Sequence, residues 1–452
     1  MTPLWFRSAL LAHGWAEGVR LGIENGRIAE IATGIAPAHA DARHGVAVAG
    51  MPNVHSHAFQ RGMAGLTEVA GPAADNFWTW REAMYRFVDR LGPEDLEAIT
   101  AFAYAEMLEG GYTRVAEFHY LHHDPKGVPY ADPGELAMRV AAAASQTGIG
   151  LTLLPVLYAH GNFGGEPPGA GQRRFLNDIE GFRRVVESSR RAVRNLEGAV
   201  VGVAPHSLRA VTPAELEAAV ALAGSGPVHI HIAEQTREVD SCLAWSGQRP
   251  VQWLLDHAPV GERWCLVHAT HMTDEEARRA AATGAVAGLC PLTEANLGDG
   301  VFPAGPYLAA AGAYGIGSDS NILLDVAAEL RALEYAQRLT LRRRNILAGV
   351  GRQSTGRTLV EAALAGGAQA LASGAAALSV GAEADIVALD ADHPSLVARR
   401  GDALLDSWIF AGRDPVIDSV WRRGVQVVSG GRHVRYETIA SRYREVLTRI
   451  LA

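Results

Sequence analysis

Between residues 47 and 321 the chain alternates short apolar runs with longer stretches whose apolar residues recur at three- and four-residue spacing. The runs are "AVAGMPNVHSH", "TRVAEFHY", "GLTLLPVLYAH", "AVVGVAPHS", "GPVHIHIAE", "RWCLVHATH", "AVAGLCPLT" and "AYGIGSDSN". Each is short, apolar and closed by polar or small residues, the pattern of a buried strand, and the intervening spacing is that of amphipathic helices. Helix starts are legible too. In "VTPAELEAAVALAG" Thr212 caps, Pro213 suits the first helical position and Glu215 completes a capping box; Thr273 and Glu276 repeat this in "MTDEEARRAAATG". Both helices should stop at a glycine, Gly224 and Gly284. Eight strand and helix units predict an α/β fold, a (β/α)8 TIM barrel, with the active site at the C-terminal ends of the strands. A doubly wound open sheet is the competing arrangement.

The flanks read differently. "GVRLGIENGRIAEI" is split by Asn-Gly, a hairpin signal, and "GVAVAG" follows it. Near the other end "LSVGAEADIVALD" and "DPVIDSVWRRGVQVVSGGRHV" are strand-like, and "YETIASRYREVLTRILA" has helical spacing. A small β-sandwich domain formed by both chain ends is therefore expected: 1–48 as its N-terminal part, 49–375 as the barrel, and 376–452 as its C-terminal part and terminal helix. "ASGAAALS" is simple enough in composition to serve as a linker.

Composition narrows the function. The 452 residues are 48% hydrophobic and 20% charged, enough for a large core, and the net charge of -8 offers no basic face for nucleic acid or anionic lipid. No apolar run approaches the ~20 residues of a membrane helix, and "MTPLWFRSALLAHGWAEG" lacks a signal-peptide pattern, so neither membrane insertion nor export is expected. Cys242, Cys265 and Cys290 are odd in number and lack a Cys-x-x-Cys spacing, which argues against a disulfide framework and for the cytoplasm. Lys126 is the sole lysine, in the turn-like "HHDPKGVPY", so mechanisms that need a buried lysine have almost no candidate.

Chemistry gathers at the strand ends. His55 and His57 end the first strand, His206 the fourth, His231 and Glu234 the fifth, His268 the sixth and Asp319 the eighth. Residues two apart on a strand face the same side, so His55 and His57 can aim into one cavity. Imidazoles with one carboxylate suit a divalent transition metal, most often zinc, with a position left for water. The His-x-His spacing is weak evidence by itself; the order of the groups at strands 1, 5, 6 and 8 carries the argument. His229 shares a face with His231 but lies two residues deeper, and is expected to be a hydrogen-bonded core residue. His119, His122, His123 and His271 receive no role.

The strings "NVHSH", "HIHIAEQ", "VHATH" and "GIGSDSN" together resemble the amidohydrolase superfamily, specifically its mononuclear deaminases, over almost the whole chain. The resemblance implies one metal ion on His55, His57, His231 and Asp319, with Glu234 and His268 as proton-transfer groups and Asp319 also orienting the attacking water. Dinuclear members carry a carboxylated lysine at the end of strand 4, where this chain has His206. The implied chemistry is hydrolysis: the metal lowers the pKa of water to about 7, Glu234 relays protons to the departing nitrogen, and His268 polarises the substrate or stabilises developing charge.

Within the superfamily, "HSHAFQRGMAG", "FWTWREAMYRF" and "CPLTEANLGDG" are similar to the branch that hydrolyses N-formimino-L-glutamate to N-formyl-L-glutamate and ammonia in histidine degradation. That resemblance implies substrate contacts from Gln60 and His206 near the formimino end, from Tyr120, and from Arg81 and Arg209 on the two carboxylates, for which planar guanidiniums are natural partners. Relatives are often dimers, so a homodimer is expected. Two alternatives stay open at this point. A deaminase of a purine, pyrimidine or triazine ring would use the same metal and proton relay, with Phe77, Trp78, Trp80 and Tyr85 as stacking surfaces. A catalytically silent barrel scaffold would require loss of one of these groups, and all are present.

Overall fold

The structure, a computed structural model, describes residues 3–71, 75–349, 351, 354–374, 377–413 and 415–452. The strand β1 (Leu4–Leu11) pairs antiparallel with β2 (Gly14–Glu24), and β2 with β3 (Arg27–Ala32). The Asn-Gly between β2 and β3 makes the expected turn, with φ of 49° at Asn25 and 78° at Gly26. The strand β4 (Ala42–Ala49) runs parallel to β1. At Gly50 the chain leaves this sheet for another, so the first apolar run of the sequence is two strands rather than one. A Cβ at Gly50 would collide with the Thr113 side chain, which is why the crossing point is glycine.

The next nine strands are β5 (Met51–Ser56), β6 (Tyr112–His119), β7 (Gly150–Leu157), β8 (Val200–Val201), β9 (Ala204–Pro205), β10 (Val228–Ile232), β11 (Trp264–His268), β12 (Val286–Leu289) and β13 (Ala313–Ile316). The pairings β5-β6-β7-β8, β7-β9 and β10-β11-β12-β13 are all parallel. Parallel bridges Val203 to Val228 and Ser207 to His231 link the two sheets on one side, and Ser56 to Asp319 links them on the other. The pairing therefore runs round a closed circuit. The fourth apolar run of the sequence is two short strands, β8 and β9, separated by Gly202 and Val203.

Helices follow the strands, as parallel pairing requires. Thr212 and Thr273 accept from the backbone N–H of Glu215 and Glu276, and each capping box is complete. These helices, Pro213–Leu222 and Asp274–Ala282, are followed by left-handed Gly224 and Gly284. In the helix Ile179–Val193 the buried Phe182, Val185, Val186 and Ser189 recur at helical spacing, while Arg183, Arg184, Arg190 and Arg191 face solvent.

Both chain ends meet in one sheet. The strands β14 (Ile386–Leu389), β15 (Ile417–Arg422), β16 (Val425–Ser429) and β17 (Arg432–His433) extend it in the order β17-β16-β15-β14-β4-β1-β2-β3. Two strands separate β1 from β15, about 14 Å across a flat sheet, yet the rings of Phe6 and Trp421 are 6.1 Å apart. The sheet curls over a core of its own, which includes Leu4, Leu21, Ile28 and Ile386. The predicted boundary at 375/376, and with it part of the "ASGAAALS" linker, lies outside the described residues. The terminal helix Tyr436–Leu451 is present and packs on Pro93–Glu109.

Candidate active site

The circuit closes at the groups singled out in the sequence. Asp319 N–H and Ser318 N–H donate to the His55 carbonyl at 2.9 and 3.0 Å, and His57 N–H donates to the Asp319 carbonyl at 3.0 Å. A buried network reinforces the seam: Asn53 Nδ2 donates to Ser318 Oγ, and Asn321 Nδ2 to Ser56 Oγ and the His57 carbonyl. Gly317 permits the close approach, since a Cβ there would stand 2.9 Å from His55 N and Cβ. Four non-glycine residues at strand ends take left-handed backbone: Ala233 (φ 49°), His268 (65°), Ala269 (50°) and Asp319 (42°). Such strain is held only where the surrounding structure imposes it, and here it turns side chains inward.

His55, His57, His231 and Asp319 converge. The Nε2 atoms of His55 and His57 are 3.2 Å apart, those of His55 and His231 2.9 Å, and Asp319 Oδ1 lies 3.4 and 3.3 Å from the first two. The tautomers follow from the outer hydrogen bonds. His57 Nδ1 faces the Phe118 carbonyl at 3.0 Å and His231 Nδ1 the His206 carbonyl at 3.1 Å, so each Nδ1 carries the proton. Their Nε2 lone pairs then point inward toward His55 Nε2 and Asp319, an arrangement suited to a cation. Tetrahedral coordination at 2.0–2.1 Å gives donor separations of about 3.3 Å, so the four residues fit a zinc-class ion. Burial holds His55 down at about 4 and His57 at about 3, which keeps both rings neutral and able to ligate. His268, Cys290 and Asp319 form a second, overlapping donor group.

Beside this cluster, His268 Nε2 lies 3.8 Å from Glu234 Oε1 and 3.9 Å from Asp319 Oδ2. Burial pushes Glu234 up to about 7 despite the attraction of His268. Burial opposes charge on His268, but Glu234, Glu294 and Asp319 together raise it to about 10. Burial also works against ionisation of Asp319, and the three nearby imidazoles outweigh it, holding this carboxyl below its usual range. The Glu234 loop is tied down by Glu238, whose carboxylate accepts from the N–H groups of Ala233 and Glu234 at 3.1 and 3.2 Å.

A cleft opens above these groups. His57, His231, Asp319, Glu234, His268, Gln60, Arg81, Tyr120, His206 and Arg209 all line it, and His55 lies just beneath. Thus all eleven residues given a ligand, proton-transfer or substrate role reach one place, whereas Trp78, named as a stacking surface for a ring substrate, is not among the cleft's lining residues. Gln60 Nε2 donates to Tyr120 Oη at 2.9 Å, and the His206 ring lies 4.4 Å from that of Tyr158. The Nε atoms of Arg81 and Arg209 are buried without a hydrogen-bond partner. Phe77, Trp80 and Tyr85, from the helix Phe77–Val88, form the apolar wall.

His229 is fully buried and its Nε2 donates to the Ala370 carbonyl at 2.8 Å, away from the cluster. His122 and His123 bond the carbonyls of Val156 and Leu176, while Nε2 of His119 and of His271 have no partner. Lys126 is exposed in its turn. The sequence reading missed Glu294, Glu238 and Arg237. The acids open helices and read as ordinary first-turn carboxylates, and Arg237 reads as a surface residue; no local pattern separates them from their neighbours.

Comparison with known proteins agrees with the geometry. Residues 46–427 match the amidohydrolase family, and residues 1–45 match the N-terminal domain described as formimidoylglutamate deiminase HutF. A formimidoylglutamate deiminase of Pseudomonas aeruginosa is 53% identical over 100% of both chains. An 8-oxoguanine deaminase of the same organism is 31% identical over 75% of this chain and 76% of its own. Among solved structures, an amidohydrolase from Brucella melitensis superposes with a TM-score of 0.97 at 54% identity, with both chains covered completely.

Proposed function

The chain belongs to the amidohydrolase family, and on that premise we propose that its cleft holds one divalent ion and takes N-formimino-L-glutamate as substrate. The protein hydrolyses this linear amidine to N-formyl-L-glutamate and ammonia, the activity carried by its full-length relative. The observation that carries the substrate is the pairing, in one cleft, of a cluster that could hold a cation with the guanidiniums of Arg81 and Arg209, whose Nε atoms are buried without a hydrogen-bond partner. A dicarboxylate answers the guanidiniums, and an amidine carbon answers the cluster.

His55, His57, His231 and Asp319 would hold the ion, and this set of borderline donors favours zinc. When bound, the ion supplies Lewis acidity and brings water toward ionisation at neutral pH. Glu234, poised near pH 7, takes a proton from the water as it attacks the formimino carbon. The new carbon–oxygen bond forms on that carbon, and the bond to the terminal nitrogen breaks. Glu234 passes both water protons in turn to this nitrogen, which leaves as ammonia. His268, held cationic by three carboxylates, stabilises the charge that develops at the reacting centre. Gln60 and His206 bind the formimino end, Tyr120 supports Gln60, and Arg81 and Arg209 grip the carboxylates.

We read the closed circuit as a (β/α)8 barrel, residues 49–375, and the curled sheet as a small β-sandwich domain from residues 1–48 and 376–452. The cytoplasm is supported by three buried cysteines that are free in the structure. A homodimer is supported by the exposed Leu339 and Leu341 on the helix Val326–Leu341. Ring deamination is the second reading, favoured by the aromatic wall and the 8-oxoguanine deaminase relative. Ammonia release by metal-replete protein from N-formimino-L-glutamate, guanine and cytosine decides between them. The first substrate should be strongly preferred, and Arg209→Met should raise its KM. A preference for either base ends the dicarboxylate assignment.

A further inference from the structure

Three guanidiniums converge on the indole of Trp78. The Cζ of Arg81 lies 4.5 Å from the ring centre, that of Arg237 4.6 Å and that of Arg209 5.6 Å. They come from three places in the chain. Arg81 follows Trp78 by one turn of the helix Phe77–Val88, Arg209 sits in the loop after β9, and Arg237 is the second residue of the helix Thr236–Ser246 that follows β10. Among the described residues none of the three is ion-paired with a carboxylate. Three unpaired like charges around one ring repel one another. The negative face of the indole offsets part of that cost, and an anion offsets more.

Arg81 and Arg209 line the cleft, whereas Arg237 is exposed at its rim and Trp78 is half-buried between them. Trp78 does not line the cleft, so its contribution is to the guanidiniums and not to a stacked substrate. We propose that Trp78 is the positioning residue for the Arg81 and Arg209 guanidiniums, and that Arg237, gathered on the same ring, is a third cationic determinant that selects dicarboxylate over monocarboxylate amidines. This rests on the dicarboxylate reading above. Arg237 acts from the rim, so its effect falls on capture of a charged substrate, which salt screens.

Steady-state kinetics of the metal-loaded full chain test this, with N-formimino-L-glutamate as the dicarboxylate and N-formimino-4-aminobutyrate as the monocarboxylate. Trp78→Leu should raise KM for the dicarboxylate by about 2- to 30-fold, the range of one to two cation–π contacts, and leave kcat within about threefold. Its effect on the monocarboxylate should be smaller, and Trp78→Phe should restore most of the loss. Arg237→Gln should lower kcat/KM for the dicarboxylate and flatten its dependence on salt, and Arg237→Lys should preserve both. Arg237 is exposed, so its variants keep the proposal testable if Trp78→Leu fails to fold. Equal effects on both substrates, a fall in kcat at constant KM, or an unchanged salt dependence in Arg237→Gln would overturn it. If the wild type does not turn over the dicarboxylate at all, the substrate reading falls and this inference with it; if only the variants behave alike, the inference alone falls.

Discussion

His268 Nδ1 lies 3.3 Å from Glu294 Oε1, and the same oxygen accepts the backbone N–H of Cys290 at 2.9 Å. Glu294 is thereby locked to the end of β12 while it orients a ring at the end of β11. With Nδ1–H directed to Glu294, Nε2 is left facing Glu234 and Asp319. Glu294→Ala should therefore lower kcat roughly 10- to 100-fold, the equivalent of about 1.5–3 kcal/mol for a lost charge-assisted hydrogen bond, with KM little changed. Glu294→Gln retains an acceptor and should recover part of the rate. Equal kcat for the alanine variant and the wild type would remove Glu294 from this role.

Glu234 is the proton carrier in the mechanism above, yet it is not among the four ligand groups. Glu234→Gln should cut kcat by about 10²- to 10⁴-fold, the usual worth of general acid–base catalysis. Metal content, measured by atomic emission on the purified variant, should stay at the wild-type level. Loss of metal with loss of rate would make this residue a ligand instead.

Three inward-facing imidazole nitrogens and a carboxylate oxygen are costly to leave without a cation. Dialysis against a chelator should abolish ammonia release and lower the melting temperature, and added Zn2+ should restore both. A ligand at 100 times its dissociation constant contributes ~2.7 kcal/mol to stability. A melting temperature indifferent to chelator and zinc would contradict the proposed metal centre.

Gly317 is the point at which the last strand passes His55. Gly317→Ala pushes a methyl group against His55 and should reduce metal retention as well as activity, whereas Gly305→Ala, with open space around its added Cβ, should do neither. Calorimetric zinc titration of the two variants separates this local effect from general destabilisation.

Burial holds His119 down at about 3 in the folded protein, against roughly 6.5 when unfolded. Between these values the unfolded chain binds a proton that the folded chain does not. The contribution is therefore complete above pH 6.5 and is lost progressively as pH falls toward 3, by up to ~1.4 kcal/mol per pH unit. In denaturant unfolding at pH 7, 6 and 5, His119→Gln should show a shallower decline than the wild type. Parallel declines would mean that this ring is already protonated in the fold.

Local pattern, read from the sequence, determined most of the elements. Alternating apolar runs marked the strands, Asn25 and Gly26 the hairpin, and Thr212 with Glu215 and Thr273 with Glu276 the helix starts, because burial, turn geometry and capping depend on near neighbours. His55, His57, His206, His231, Glu234, His268 and Asp319 were legible as polar groups at strand ends, whereas Gln60, Arg81, Tyr120 and Arg209 entered only through the family resemblance. What only the tertiary structure decided was which distant groups share a contact. Gly50 divides one apolar run between two sheets because Thr113, sixty-three positions on, leaves no room for a Cβ. Glu294 meets His268, and Arg237 meets Trp78, across gaps that no local periodicity spans. Closing the strand circuit fixes those meetings, since it sets the register of every strand end against the others and leaves each side chain one direction in which to point.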